Sequence, residues 1–201
     1  MSKVISEKFS RERIFSRIRS SKQTPVELPD VPLYSIPGDP VENFIARLEG
    51  FDGKAVRFGS RAQALAWLLE NIDLKGRVVY SAISDFNGNL QPESVADPHA
   101  AHVIDVCVAQ GLMGVGETGS VWVTDESLGG AACALFSTDL YLLLDSRKVV
   151  DGIHTAYSQL DIRKAAYGSF FTGPSATADI EAVHITGAQG EISLTVLLYD
   201  K

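Results

Sequence analysis

Helical and strand patterns of apolar residues alternate along most of this chain. From residue 41 onward, segments with apolar side chains every three or four positions are followed by short runs of consecutive apolar residues. Helical spacing covers 41–48, 60–72, 129–136, 149–160 and 177–183, and Ser60 can cap the second of these helices. The strand-like runs are 55–58, 78–83, 103–109, 121–124, 140–144, 169–172 and 192–199, and the polar stretch 84–97 is predicted to be a loop. The alternation predicts an α/β domain. Because several runs are apolar at every position, we expect a mainly parallel central sheet with helices on both faces.

The first 24 residues differ from the rest in charge. Residues 1–22 hold seven of the 18 Lys and Arg but only two of the 25 acids, a charge of +5, whereas the remainder carries 11 − 23 = −12. Apolar residues recur there at helical spacing, so 1–24 is predicted to form a basic helical arm that docks on the acidic body or on a partner. Five prolines within 25–40 predict an extended linker, which leaves 41–201 as a single domain.

Composition and charge favour a globular cytoplasmic protein with reduced thiols. With 201 residues and 45% hydrophobic content, the chain can bury a sizeable core without disulfides or metals. Cys107 and Cys133 lie in apolar runs, so we predict buried, reduced thiols. The acidic body argues against nucleic acid as the main partner. We find no signal peptide and no apolar run of the roughly 20 residues that a membrane span needs, so we expect a cytoplasmic protein.

The first candidate site is the segment 172–181, here called the TGPS segment. A strand is predicted to end there and a helix to follow. Gly173 permits close approach of a backbone, Pro174 can start a turn, and Ser175 and Thr177 offer hydroxyl groups near the positive end of the helix dipole. The segment therefore predicts a site for phosphate or carboxylate. A capped helix with acids that complement its dipole explains the same residues equally well.

The second candidate is residues 116–120, here called the GETGS turn. Glu117 lies between glycines at the start of a strand, where a carboxylate can act as a base, a nucleophile or a hydrogen-bond acceptor. Gly116, Thr118 and Gly119 would bind the ligand beside it. A purely structural turn is the alternative, because the spacing departs from the Gly-x-Gly-x-x-Gly fingerprint of dinucleotide sites.

Metal and cluster chemistry find little support in the sequence. His99 and His102 are three residues apart, but no third ligand stands at a diagnostic spacing, so we predict no metal site. An iron–sulfur cluster needs about four thiolates. Two distant cysteines do not supply them, so no such cluster is expected in this chain, and its cofactor is left unassigned.

Three blocks of the sequence resemble the LUD (lactate-utilization) domain family, which includes lactate-utilization protein C. They are the GETGS turn continued to residue 121, the TGPS segment, and residues 185–190 before the last strand. The resemblance covers roughly residues 75–201. It implies a fold similar to that of ribose-phosphate isomerase, glucosamine-phosphate isomerase and CoA transferases. In CoA transferases of this fold a glutamate can serve as the nucleophile, which draws attention to Glu117.

The resemblance also implies partners. LUD family members take part, with iron–sulfur partner proteins, in oxidising lactate to pyruvate, and this chain would be the cluster-free component. One position departs from the family, which commonly has Gly-x-His-Gly where this chain has Gly187, Ala188, Gln189 and Gly190. Glutamine cannot shuttle protons at neutral pH. The loss of histidine favours a binding or accessory role, with Gln189 and Gly190 in the ligand site.

Three functions are consistent with these patterns. The first is an accessory component of lactate or related organic-acid oxidation that binds an anionic metabolite or cofactor at the carboxyl ends of the parallel strands. The second is a stand-alone isomerase or acyl/CoA-transfer enzyme with Glu117 as base or nucleophile and Asp179 as an orienting acid. The third is a non-catalytic assembly module that docks through the basic arm. The sequence leaves the oligomeric state open.

Overall fold

We analysed a computed structural model of the chain. It describes residues 2–21, 26–27, 29–32, 34–90, 95, 97–178, 181 and 183–200. The chain divides into two compact units, Met1–Pro32 and Leu33–Lys201. The first contains helix α1 (Ser2–Ser20), in agreement with the helix predicted for the basic arm. None of the helices within the described ranges is both long enough and apolar enough to cross a membrane.

The second unit is built on a five-stranded sheet in which every neighbouring pair is parallel. Its strands are β1 (Lys54–Phe58), β2 (Val79–Ser81), β3 (Val106–Gln110), β6 (Asp139–Asp145) and β11 (Ser193–Tyr199). They lie in the order β1-β11-β6-β3-β2. Strands β6 and β11 are the longest and lie in the interior, where both faces are covered, which explains their nearly continuous apolar sequences. The predicted parallel α/β architecture is confirmed.

Two helices cover opposite faces of this sheet. Helix α2 (Pro40–Gly50) begins at Asp39, whose carboxylate accepts hydrogen bonds from the backbone N–H groups of Val41 and Glu42. Helix α3 (Arg61–Asn71) begins at the predicted cap Ser60. Alternate residues of β11 point to the two sides: Leu194, Val196 and Leu198 pack in the core with α2, whereas Leu197 and Tyr199 pack with α3.

A second sheet covers part of the α2 face, and the sequence did not predict it. It consists of β4 (Met113–Val115), β5 (Ser120–Thr124), β7 (Val149–Val150) and β8 (Gly168–Phe171), in the order β7-β4-β5-β8. The β4–β5 and β5–β8 pairs are antiparallel. The apolar runs of β5 and β8 were assigned to strands correctly. The sheet to which a strand belongs depends on pairing partners that are distant in sequence, and spacing along the chain does not report them.

The expected helix over 177–183 is wrong, because strand structure is found at its start. β9 (Ala176–Thr177) pairs antiparallel with β10 (Ile185–Thr186) in a two-stranded hairpin. Glu181 in the connection has φ 55°, in the left-handed region, which does not occur within a right-handed helix. Residues 149–160 are also corrected at their start: 149–150 form β7, and helix α5 (Ile153–Gln159) follows.

The remaining elements complete the core. Helix α4 (Ala131–Leu135) forms where small residues predicted a helix, and a 3-10 helix, Pro98–Val103, precedes β3. Cys107 and Cys133 are both buried free thiols, as predicted. Burial raises the pKa of both thiols, because a thiolate would lose its hydration there.

Candidate functional site

The GETGS turn joins β4 to β5 and lies against helix α2. A Cβ atom added to Gly116 would stand 2.7 Å from the carbonyl oxygen of Pro40, and one added to Gly119 would overlap the backbone nitrogen of Leu48. Gly119 also has φ +67°, a conformation that favours glycine. Both glycines therefore allow the turn to approach the backbone of α2, which is the structural alternative raised by the sequence.

Glu117 projects from this turn toward the start of helix α5. Its Oε2 atom accepts a hydrogen bond of 2.9 Å from the backbone N–H of Ile153, and its own N–H donates to the carbonyl of Asp151 at 2.8 Å. The N-cap residue of α5 is Gly152, which has no side chain to satisfy the first N–H groups. Glu117 serves as a substitute cap, and its role as base or nucleophile stays a prediction.

A row of hydroxyl groups brings the GETGS turn and the TGPS segment together. Ser120 donates a 2.7 Å hydrogen bond to the Thr118 hydroxyl and shares a 2.5 Å hydrogen bond with the Thr172 hydroxyl. The contact arises because Val121 pairs with Phe171 across the β5–β8 ladder. The two blocks are thus neighbours, as a shared site requires. Ser120 is only 5% exposed, so this row is mostly internal.

The TGPS segment continues away from this row toward the amino ends of the parallel strands. Gly173 has φ +64°, and a Cβ atom there would overlap the carbonyl oxygen of Phe51, just before β1. The N–H of Ser175 donates to the carbonyl of Glu191, just before β11, at 3.0 Å. The expected position at the carboxyl ends of the strands is therefore corrected to the amino edge of the sheet.

The remaining glycines of this region contact other parts of the chain. The N–H of Gly187 donates to the Ser175 carbonyl at 2.7 Å, and a Cβ atom on Gly190 would stand 2.9 Å from that of Ser175. Since no helix follows Ser175 in the described residues 176–178, 181 and 183–190, the proposed anion site loses the helix dipole on which it depended. Pro174 and Thr177 are half-buried here, and Gln189 is exposed. Asp179, the expected orienting acid, lies outside the described residues.

The carboxyl edge of the sheet contains a polar network that the sequence analysis did not single out. Arg61, at the start of α3, donates from Nε and Nη2 to the two carboxylate oxygens of Asp85, at 2.6 and 2.9 Å. Its Nη1 donates to Gln110 Oε1 at 2.7 Å and to the Tyr199 hydroxyl at 3.1 Å. One guanidinium thus connects groups that follow or end β1, β2, β3 and β11. We call these four residues the Arg61 network.

Several contacts fix the network in place. Gln110 donates from Nε2 to the carbonyl oxygens of Gly111 and Leu143, so its own oxygen is held toward Arg61. The Arg61 guanidinium also lies 5.4 Å from the centroid of the Tyr199 ring. The hydrogen bonds and positive charge of Arg61 hold the pKa of the Asp85 carboxyl below its usual range.

A cavity of about 370 Å³ opens in the loop that follows β2, the loop that also carries Asp85 of the network. Its lining is mixed: Ser81, Ser84 and Asn87 are polar, and Ile83, Phe86 and Leu90 are apolar. Ser84 and Phe86 flank Asp85 in the chain. Carboxyl ends of parallel strands are the usual place for ligands in such sheets. The cavity and the Arg61 network together form the candidate functional site.

Sequence reasoning missed this site for an identifiable reason. The interpretation of Ser60 as a cap and of 84–97 as a polar loop gave no reason to pair Arg61 with Asp85 or with Tyr199. A weak signal did exist, since Arg61 stands directly after a strand and a cap in an α/β pattern. Only the strand order brings these residues together.

The histidine pair shows local hydrogen bonding. His102 Nδ1 lies 2.7 Å from the carbonyl oxygen of His99, within the 3-10 helix, and both residues are exposed. In the part of the chain that the structure describes, no three His, Cys, Asp or Glu side chains come together as a metal-binding group.

Comparisons with known proteins agree with the fold. No curated protein matches the chain. Among solved structures, a DUF162 family protein from Deinococcus radiodurans is similar with a TM-score of 0.61 and 13% sequence identity, over 81% of this chain and 99% of that one. At that identity the similarity shows the fold alone. The family model of the LUD domain, a family linked to lactate utilization, matches residues 99–199. Since that match spans half of the chain and contains the GETGS turn and the TGPS segment, this protein belongs to the LUD domain family.

Proposed function

We propose that this protein is an accessory component of lactate or related organic-acid oxidation that binds an anionic metabolite at the carboxyl edge of its parallel sheet. The observation that carries the proposal is the Arg61 network, whose Asp85 lies in the loop that lines a cavity. A guanidinium with two parallel N–H groups is suited to bidentate binding of a carboxylate. Membership of a family linked to lactate utilization supports the class of metabolite.

The cavity is suited to a small hydroxy or oxo acid. The Ser84 hydroxyl and the Asn87 amide can bond to a hydroxyl or carbonyl oxygen, and Phe86 and Ile83 provide an apolar surface for a short carbon chain. The volume of about 370 Å³ is within the usual range for small-molecule sites. CoA is a larger anion and serves as the comparison ligand, because an acyl-transfer enzyme would have to bind CoA.

An accessory role follows from the chemistry of oxidation. Converting a hydroxy acid to an oxo acid removes two electrons and two protons, which must pass to an acceptor. Two buried cysteines do not provide the thiolates for an iron–sulfur cluster, and Gln189 stands where the family commonly has a titratable histidine. The proposal therefore places the redox step with an iron–sulfur partner protein.

Calorimetric titration of the full chain with lactate, pyruvate and CoA tests the binding. We expect one of the small acids to bind and Arg61→Gln to lose that binding, because the amide cannot form the bidentate pair. Arg163→Gln removes an equal charge from an exposed site in the loop between α5 and β8 and should bind normally. If none of the three ligands binds the wild-type chain, or if Arg61→Gln and Arg163→Gln bind the acid with equal affinity, this site is excluded.

Affinity capture from native lysate tests the partner. A tagged full-length chain should retain an iron–sulfur protein, identified by mass spectrometry and by its visible absorption. If the basic arm is the docking element, deleting residues 1–22 should abolish capture and leave the melting temperature nearly unchanged. Loss of thermal stability without loss of capture would instead indicate that the arm stabilises its own chain.

A further inference from the structure

We infer that Asp85 occupies the place of the ligand carboxylate on Arg61, and that a monocarboxylate binds by displacing it. This inference rests on the proposed function, since it assigns a chemical class to the ligand of the same site. It adds that the Asp85 carboxylate competes with the ligand for Arg61.

The geometry of the Arg61–Asp85 pair is the basis of the inference. Asp85 accepts from Nε and Nη2 with one carboxylate oxygen each, at 2.6 and 2.9 Å, as a free carboxylate would. The third part of the guanidinium, Nη1, is engaged separately by Gln110 and Tyr199. Arg61 therefore keeps its position when Asp85 leaves, and the two bidentate donors become open to another carboxylate.

Exposure of the two partners indicates which one moves. The Asp85 side chain is 41% exposed, compared with 26% for that of Arg61. A released Asp85 carboxylate can be hydrated at little cost, whereas an unpaired Arg61 would remain partly buried among groups from several strands. Asp85 also lies in a loop between β2 and β3 without helix or strand pairing of its own, so its displacement disrupts no ladder.

The position of the cavity supports the exchange. Ser84 and Phe86, the chain neighbours of Asp85, both line it. A ligand whose carboxylate replaces that of Asp85 would therefore have its remaining atoms against this same loop. Tyr199 accepts from Arg61, and its own O–H can donate to a second ligand oxygen, as on a 2-hydroxy or 2-oxo acid.

An internal competitor weakens the apparent affinity for an external ligand, because only the fraction of molecules with Arg61 open can bind. Removing the competitor should strengthen binding by about three- to tenfold, the range expected for a bidentate but partly exposed ion pair. Asp85→Asn is the direct test, since it keeps the shape and removes the charge. Asp161→Asn is a matched control, because Asp161 forms an exposed pair with Lys164 at 3.6 Å.

The experiment is calorimetric titration of pyruvate, of lactate and of the neutral amide of pyruvate into the wild-type chain, Asp85→Asn and Asp161→Asn. We expect tighter pyruvate binding in Asp85→Asn alone and no binding of the amide. Asp85→Ala provides a second measurement if thermal melting shows that Asp85→Asn is unfolded. Wild-type binding that is unchanged in both Asp85 variants would overturn the inference and leave the proposed function intact. Absence of pyruvate and lactate binding from every chain would overturn both.

Inorganic phosphate distinguishes the ligand class. Phosphate can also form a bidentate pair with a guanidinium, but it is tetrahedral and carries more negative charge than the planar Asp85 carboxylate that it would replace. Phosphate that binds Asp85→Asn more tightly than pyruvate does would overturn the assignment to a carboxylate.

Discussion

Gly173→Ala is predicted to destabilise this protein strongly, because the glycine fits against protein backbone. Gly173 has φ +64°, and the added Cβ would overlap the Phe51 carbonyl oxygen. The same Cβ would stand 3.0 Å from the Phe51 carbonyl carbon and 3.2 Å from its Cβ. Three neighbours on one residue, two of them backbone atoms, leave the methyl group no direction in which a small shift relieves the contact.

The magnitude has two parts. An L-residue in the left-handed region costs about 1–2 kcal/mol relative to glycine. Forcing a methyl group into a filled space costs about 1–3 kcal/mol more, since backbone must move. The sum is about 2–5 kcal/mol. For a domain of this size each kcal/mol lowers the melting temperature by about 2–4 °C, so the expected loss is roughly 4–20 °C.

Thermal unfolding followed by circular dichroism measures this loss, and Gly50→Ala is the control. Gly50 ends helix α2, and a Cβ there would meet nothing within 4 Å. That variant should be neutral or more stable by up to about 1 kcal/mol. Gly173→Asn separates the two parts, because asparagine tolerates the left-handed region but carries the same Cβ. A melting temperature of Gly173→Ala equal to that of the wild type would refute the packing role and return this glycine to the ligand site.

Three further predictions concern ionisable groups. Burial raises the pKa of Glu191, so the native state should lose stability as pH rises above the unfolded-state pKa of about 4.3. Glu191→Gln should therefore raise the melting temperature at pH 7 and leave it nearly unchanged near pH 3.5. An equal gain in melting temperature at both pH values would contradict this prediction. The buried thiols of Cys107 and Cys133 should react with an aromatic disulfide reagent about a hundredfold more slowly in the native protein than in guanidinium chloride. Rapid labelling of the native protein would show that the core around these thiols opens to solvent. Glu117→Gln should lower the free energy of unfolding by about 0.3–1 kcal/mol, because glutamine interacts more weakly with the start of α5. Thermal melting measures this loss. A much larger effect on the turnover of an identified substrate would restore the catalytic alternative.

Local sequence predicted the elements whose formation depends on neighbours in the chain. Ser60 followed by an apolar helical repeat predicted α3, and the N-cap hydrogen bond to the Ser60 hydroxyl forms as expected. The apolar run 140–144 gave β6, because a strand buried on both faces needs apolar residues at successive positions. The thiols of Cys107 and Cys133 were predicted to be buried for the same reason.

The helix predicted over 177–183 failed because tertiary pairing outweighed a weak local preference. Thr177 and Ile185 are β-branched and pair across the β9–β10 hairpin. The spacing of small and apolar residues was compatible with a helix, and nothing local indicated that the chain would return to pair with itself. The anion site predicted at the start of that helix loses the support of the helix dipole, and the ligand contacts of its residues stay a prediction.

The sequence by itself determined the fold class, the family and the approximate position of most strands and helices. Each of these depends on periodicity, on capping residues or on contiguous motifs, which are all properties of short segments. The tertiary structure alone decided that Gly116, Gly119 and Gly173 touch protein backbone and that the TGPS segment lies at the amino edge. It also decided that Arg61 meets Asp85, Gln110 and Tyr199 at the carboxyl edge. The physical reason is strand order: residues far apart in the chain become neighbours only when β1, β11, β6, β3 and β2 are placed in that order in one sheet.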